Sequence, residues 1–195
     1  MIRLLVENPV TITHQELHML GLKAKGKIKH LYLHWTAGHY GQVYDNYHIN
    51  IDKDGEVYIT CRELYQVKTH TFMRNSDGIG IALCCGAGAS FDGKSPKGID
   101  FGESPPTMMQ IEKMAQVIAI LADALDLPIK FAAVATHAEI AIVDGYGPLS
   151  DDDQKRWDLW FLPNFGNDTN LRLGGVTIRE KAQWYKELFD RRIAA

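Results

Sequence analysis

The stretch IGIALCC, residues 79–85, decides the fold class because nearly all of its residues are apolar. Successive side chains of a strand point to opposite faces, so this composition is typical of a strand that is buried on both faces. IKHLYLHW (28–35), rich in β-formers, and the apolar FAAVAT (131–136) also predict strands. In the first of these, Leu31 and Leu33 should share one face, and Tyr32 and His34 the other.

One hairpin and two irregular regions are predicted around these strands. NYHINI and EVYI flank Asp52-Lys53-Asp54-Gly55, a turn sequence between two alternating runs, and this arrangement indicates a β-hairpin. The glycine-rich residues 86–102 should form a loop. Residues 144–170, rich in Gly, Asp, Asn, Pro and Trp, should be irregular.

Three helices are predicted from capping sequences and apolar spacing. A Ser or Thr followed three residues later by Glu or Gln caps helix N-termini. Two such boxes occur, Thr13 with Glu16 and Thr107 with Gln110. We expect Gly21 and Gly26 to end the first helix, and a third capped helix to span residues 177–192. Strands alternating with helices favour an α/β fold, a single domain with a central mixed β-sheet flanked by helices.

Composition excludes several classes of protein. The net charge of −3 and the absence of a Lys/Arg cluster with interleaved aromatics argue against a nucleic-acid partner. No apolar run is long enough to predict a membrane span. The start, MIRLLVENPVTITHQE, lacks the apolar region of a signal peptide, so we expect either a mature form or export by another route, and the compartment stays open.

Two of the eight histidines, His34 and His137, each follow a predicted strand into a Gly- or Ala-rich segment. A catalytic zinc site needs three protein ligands and an open position, so two histidines require one further carboxylate or thiolate. The three cysteines, Cys61, Cys84 and Cys85, are odd in number and are interpreted as buried apolar side chains rather than ligands.

Four segments in order carry a family resemblance: HWTAG (34–38), YHINIDKDG (47–55), THTFMRNSDGIGIALCCG (69–86) and THAEIA (136–141). Together they resemble the zinc-dependent N-acetylmuramoyl-L-alanine amidase family, which includes phage lysozyme-type amidases and animal peptidoglycan recognition proteins. The resemblance implies an N-terminal helical lead-in at 1–27, an amidase catalytic domain at 28–162, and a C-terminal loop and helix at 163–195 packed on the same domain.

The resemblance also implies a set of metal ligands. The family's first two ligands match His34 and His137. Its third ligand is an Asp or Cys with a basic residue two positions before it, which Asp158 and Arg156 match. The intervening segment contains four other aspartates, and we interpret its DDD run as a solvated loop; the four are Asp144, Asp151, Asp152 and Asp153.

Further roles follow from the resemblance. In the phage branch a Tyr and a Lys assist catalysis, and Tyr47 and Arg156 stand at those positions. His70 resembles a histidine of the family's cleft that contacts substrate, while His39 and His48 are weaker candidates. The muropeptide-recycling branch uses a Glu where this chain has Ala82.

The implied activity is zinc-dependent hydrolysis of the amide between N-acetylmuramic acid and L-alanine in peptidoglycan, by a chain that we expect to be a monomer. Two alternatives stay open. One is a peptidoglycan-binding module of the same fold without catalysis, and the other is a zinc amidohydrolase with a different amide substrate. The setting also stays open among a phage endolysin, a prophage relic, an autolysin and a delivered toxin.

Overall fold

The computed structural model describes residues 4–152, 155–165 and 171–193. Its centre is a six-stranded sheet. In spatial order, the strands are β1 (Val10–Thr11), β4 (Val57–Ile59), β3 (Ile49–Ile51), β5 (Gly78–Leu83), β2 (His30–Trp35) and β8 (Val134–Thr136). β3, β5, β2 and β8 run parallel, whereas β4 and β1 are antiparallel to their neighbours. The predicted mixed sheet and the predicted hairpin are therefore confirmed.

Four helices accompany the sheet: α1 (His14–Ala24), α2 (Met108–Leu125), α3 (His137–Asp144) and α4 (Gly174–Ile193). α2 packs on β3 and β5, and α1 and α4 pack on α2. Both predicted capping boxes, at Thr13 and Thr107, are present. The buried Gln110 side chain donates to the carbonyls of Ile51 and Cys84, which ties the start of α2 to the ends of β3 and β5.

The two faces of β2 differ in what they bury, as the alternation predicts. Leu31 and Leu33 belong to the main apolar core under the helices. Tyr32 packs in a second, small cluster with Ala135 and Ile140. His34 shares the face of Tyr32, so the sheet presents it away from the main core. All six residues of β5 are buried, which confirms the prediction for IGIALCC over 78–83; Cys84 and Cys85 are buried just beyond the strand.

The first and last helices depart from their predicted ends. α1 continues through Gly21 to Ala24. A Cβ on Gly21 would lie 2.6 Å from the Cβ of Ala124, so this glycine permits close packing of α1 on α2 and does not end the helix. α4 begins at Gly174, three residues before the predicted cap at Thr177.

Three other segments also differ from prediction. The strand expected over 131–136 is restricted to β8, and the segment after it forms α3 where a loop was expected. The 86–102 segment contains a small hairpin of β6 (Ser90–Phe91) and β7 (Ile99–Asp100), separated by a 3₁₀ turn at Pro96–Gly98. In the mostly irregular 144–170 region, β9 (Phe161–Leu162) pairs with β10 (Arg172–Leu173). Among the described residues, no helix has the length and apolar character required to cross a membrane.

Candidate metal centre

His34 and His137 lie at the carboxyl ends of neighbouring parallel strands. His34 is the penultimate residue of β2, and His137 is the first residue of α3, directly after β8. Leu33 of β2 is in register with Thr136 of β8. Thr136 caps α3 through a capping box with Glu139, which holds His137 at the strand-to-helix junction. Sheet pairing and helix capping therefore position both imidazoles on rigid elements.

Asp158 comes to these histidines from a turn outside the sheet. Its backbone carbonyl accepts from the Ala138 amide in the first turn of α3, at 3.4 Å. The preceding Trp157 packs edge-on against Trp35 at the end of β2, with ring centroids 4.9 Å apart. The next residue, Leu159, is fully buried. These contacts anchor the turn and shield the carboxylate from solvent.

The three side chains converge on one point. Nδ1 of His34 lies 3.2 Å from Oδ2 of Asp158, and Nδ1 of His137 lies 3.2 Å from Oδ1. One ligand atom from each residue falls within 4.8 Å of the others. The exposed fractions of His34, His137 and Asp158 are 0%, 7% and 6%. The structure therefore brings together the three residues that the family resemblance implies as metal ligands.

The protonation states of the group suit a metal. Burial lowers the pKa of His34 to about 4, although contact with Asp158 opposes the shift, so the ring is neutral at neutral pH. Burial alone would raise the pKa of Asp158, but attraction to His137 and polar contacts with both rings hold it well below its usual range. The neutral imidazole of His34 and the ionised carboxylate of Asp158 are forms that ligate metals.

The spacing of the group also fits zinc. Bonds of about 2.0–2.1 Å in a tetrahedral arrangement separate ligand atoms by about 3.3–3.4 Å. The two nitrogen-to-oxygen distances, each to a different oxygen of Asp158, are 3.2 Å and close to this value, while the ligand atoms as a set lie within 4.8 Å of one another. Two histidines and one carboxylate form a donor set typical of catalytic zinc sites, in which a fourth position stays open.

His137 and Asp158 line a cleft of about 790 Å³ that the other predicted site residues, Tyr47, His70 and Arg156, also line, whereas His34 is fully buried beside it. The Tyr47 ring lies 5.1 Å from the His34 ring, and its hydroxyl is 3.4 Å from the Trp35 carbonyl. The exposed Arg156 lines the same cleft, and its amide donates to the Tyr146 carbonyl at 3.0 Å. The structure thus places Tyr47 and Arg156 in the cleft that His137 and Asp158 line.

His70 lies in this cleft but is mostly enclosed. Its ring centroid is 5.3 Å from that of His34, and burial lowers its pKa well below the ordinary value. Nδ1 contacts the Thr71 hydroxyl at 3.0 Å, and Nε2 contacts the Gly78 carbonyl at 3.3 Å. Both ring nitrogens therefore have partners inside the protein, and its predicted contact with substrate stays a prediction.

The weaker candidates lie outside the ligand group. His39 is exposed, and His48 is buried against the backbone. Asp144 pairs with Arg74 through two bonds of 2.7 and 2.5 Å. Asp151 and Asp152 are exposed, and Asp153 lies outside the described residues. Ala82 is buried beside His34 in the sheet, so no carboxylate extends from this position.

Two residues beside the ligands were not predicted from the sequence. The hydroxyl of Thr71 lies 3.2 Å from Nε2 of His34, and that of Tyr146 lies 3.5 Å from Nε2 of His137. Each histidine therefore presents Nδ1 to Asp158 and Nε2 to a hydroxyl. Thr71 directly follows His70 in the segment that carries the family resemblance, whereas no pattern in the sequence distinguishes Tyr146.

The chain is similar to one known protein family and to several solved structures. Residues 24–154 match the family described as N-acetylmuramoyl-L-alanine amidase. Among solved structures, the N-acetylmuramoyl-L-alanine amidase LysC and the endolysin LysCS, both from Clostridium intestinale, are each 17% identical with a TM-score of 0.43. Each comparison covers 58% of this chain, and 72% and 71% of the respective neighbour.

A third solved structure, PGRP-Hd from Alvinella pompejana, is 16% identical with a TM-score of 0.36, over 67% of this chain and 84% of that one. No curated protein matches the chain. The family match covers about two thirds of the sequence and includes His34, Tyr47, His70 and His137. The chain therefore belongs to the N-acetylmuramoyl-L-alanine amidase family.

Proposed function

We propose that this protein is a zinc-dependent amidase that hydrolyses the bond between N-acetylmuramic acid and L-alanine in bacterial peptidoglycan. The observation that carries the proposal is the buried group of His34, His137 and Asp158, two members of which line the cleft, in a chain from the amidase family. Each of the three side chains offers one ligand atom, and His137 and Asp158 line the cleft.

Zinc, when bound, polarises the scissile carbonyl and activates the water nucleophile. The protein's own groups then orient the substrate and stabilise charge. Tyr47, beside His34, is suited to donate its hydroxyl to the oxygen on which negative charge develops. Arg156 supplies a fixed positive charge at the cleft, but a guanidinium does not readily give up a proton, so it acts electrostatically rather than as an acid.

Two competing functions use the same cleft. A peptidoglycan-binding module without catalysis has no need for three converging ligands, so the retention of His34, His137 and Asp158 favours the enzyme. A zinc amidohydrolase acting on another amide would use the same ligands, and only the substrate separates it from the proposal. On our proposal the partner is peptidoglycan, the chain acts on the cell wall, and it functions as a monomer.

The test is digestion of purified sacculi by the protein, with and without a chelator, followed by mass spectrometry of the products. We expect free N-terminal L-alanine and intact N-acetylmuramic acid, and we expect the chelator to abolish their release. His137→Ala provides the matched variant. Binding to sacculi without new ends would support the binding module, and cleavage at a different bond would support the other hydrolase.

A further inference from the structure

A chain of polar contacts extends from His34 away from Asp158 and ends on the backbone of β5. Nε2 of His34 lies 3.2 Å from the Thr71 hydroxyl, which lies 3.0 Å from Nδ1 of His70. Nε2 of His70 lies 3.3 Å from the carbonyl oxygen of Gly78. Thr71 is 1% exposed, so water does not compete for its hydroxyl.

The last acceptor in this chain fixes the direction of every hydrogen bond. A carbonyl oxygen can only accept, so His70 carries its proton on Nε2 and donates to Gly78. Nδ1 of the neutral ring is then an acceptor, and the Thr71 hydroxyl donates its one proton to it. The oxygen of Thr71 is left to accept, and His34 donates from Nε2.

This direction determines which nitrogen of His34 is available to a metal. With its proton on Nε2, a neutral His34 presents the lone pair of Nδ1 to Asp158 at 3.2 Å. A lone pair facing a carboxylate at this distance is repulsive unless a cation lies between them. The contacts behind His34 therefore select the tautomer that ligates a metal through Nδ1.

We propose that Thr71, with His70 behind it, is a positioning residue that holds His34 in its metal-ligating tautomer; this role rests on the proposed zinc site. Such partners of a ligating histidine orient the ring and raise its basicity, and their loss typically weakens metal binding about 10- to 100-fold. Within this role His70 acts through Thr71 and His34.

The surrounding structure keeps this pair in place. The amides of His70 and Thr71 both donate to the side-chain oxygen of Asn75, at 3.1 and 2.9 Å. The His70 ring lies so close to Gly80 that a Cβ there would come within 2.6 Å of it. The absence of a side chain at Gly80 therefore creates the space that the ring occupies.

The test compares Thr71→Val, which keeps the shape and removes the hydroxyl, with Thr71→Ser, which keeps the hydroxyl. Thr69→Val, an exposed change of the same kind in the same segment, is the matched control. Zinc affinity is measured in each purified protein by competition with a chromophoric chelator. We expect Thr71→Val to bind zinc about 10- to 100-fold more weakly, and Thr71→Ser and Thr69→Val to bind it like the wild type.

A second measurement does not depend on a folded Thr71→Val variant. In the zinc-loaded wild type, the Nε2 proton of His34 should give a hydrogen-bonded NMR resonance that exchanges slowly with water. Absence of this resonance, equal zinc affinity in Thr71→Val and the wild type, or equal losses in Thr71→Val and Thr71→Ser would each overturn the inference. If the wild type binds no zinc, the proposed function fails together with it, whereas the other outcomes leave that function standing.

Discussion

His48, behind the candidate metal centre, should make the stability of the protein sensitive to acid. Its Nδ1 accepts from the Gly80 amide at 3.0 Å, and its Nε2 donates to the Gln66 carbonyl at 2.6 Å. The ring is fully buried. Protonation of Nδ1 would break the bond from Gly80 and place a charge in the interior beside Lys68, with Asp45 as the nearest acidic group.

The magnitude follows from the two pKa values. Burial, opposed by the bond to Gln66 and reinforced by Lys68, lowers the pKa of His48 from 6.5 to about 4. The gap of about 2.5 between these values corresponds to about 3 kcal/mol. As the pH falls through 6.5, the unfolded chain binds a proton that the folded protein does not accept until about pH 4. The loss of stability from His48 therefore falls between these two values.

Chemical denaturation of chelator-treated protein between pH 7 and pH 4 tests this expectation. In His48→Gln, the amide can accept from Gly80 and donate to Gln66 without titrating. The free energy of unfolding of the wild type should fall by about 3 kcal/mol more than that of the variant across this range. The other buried histidines are present in both proteins, and His39→Gln, at an exposed position, is the matched control. If the free energy of unfolding changed equally with pH in the wild type and in His48→Gln, the reasoning would be refuted.

Three further changes test the site and the packing. Asp158→Asn should lose most bound zinc while Asp151→Asn keeps it, because only the former removes an anionic ligand. Elemental analysis of both variants measures the bound zinc. The reverse result would place the third ligand in the loop. Tyr47→Phe should lower turnover on sacculi roughly 10²-fold with zinc still bound, by analogy with an oxyanion donor, so near wild-type turnover would reject that role. Gly21→Ala should destabilise the protein by about 1–3 kcal/mol in denaturant titrations, since α1 would have to move from Ala124, and an unchanged midpoint would contradict the close packing.

Local rules predicted the elements whose ends are set by short-range chemistry. The Thr13 and Thr107 boxes each marked a helix start because a side-chain oxygen accepts from the backbone three residues on. The apolar IGIALCC predicted a strand buried on both faces. His34 and His137 were identified because strand ends of a parallel sheet lie side by side, and Asp158 only because the family resemblance extended to it.

The predictions failed where packing between residues far apart in the sequence overrides local preference. Gly21 was predicted to end α1. Its lack of a side chain instead permits close packing of α1 against Ala124, which is far away in the sequence. α3 was missed although Thr136 and Glu139 form a capping box, because the segment before them was interpreted only as a strand that ends in a loop. Thr71 contacts His34, and His70 contacts the Gly78 carbonyl, through pairings that no local pattern encodes.

The candidate metal centre includes residues that lie after the segment matched by the family. That match ends at residue 154, whereas the third candidate ligand is Asp158. Arg179 of α4 binds both carboxylate oxygens of Glu139, at 2.7 and 2.8 Å, and also donates to the Val134 carbonyl. Glu139 in turn completes the cap of α3, of which His137 is the first residue. Because one guanidinium joins β8, α3 and α4, the C-terminal helix contributes to holding the start of α3, where His137 lies.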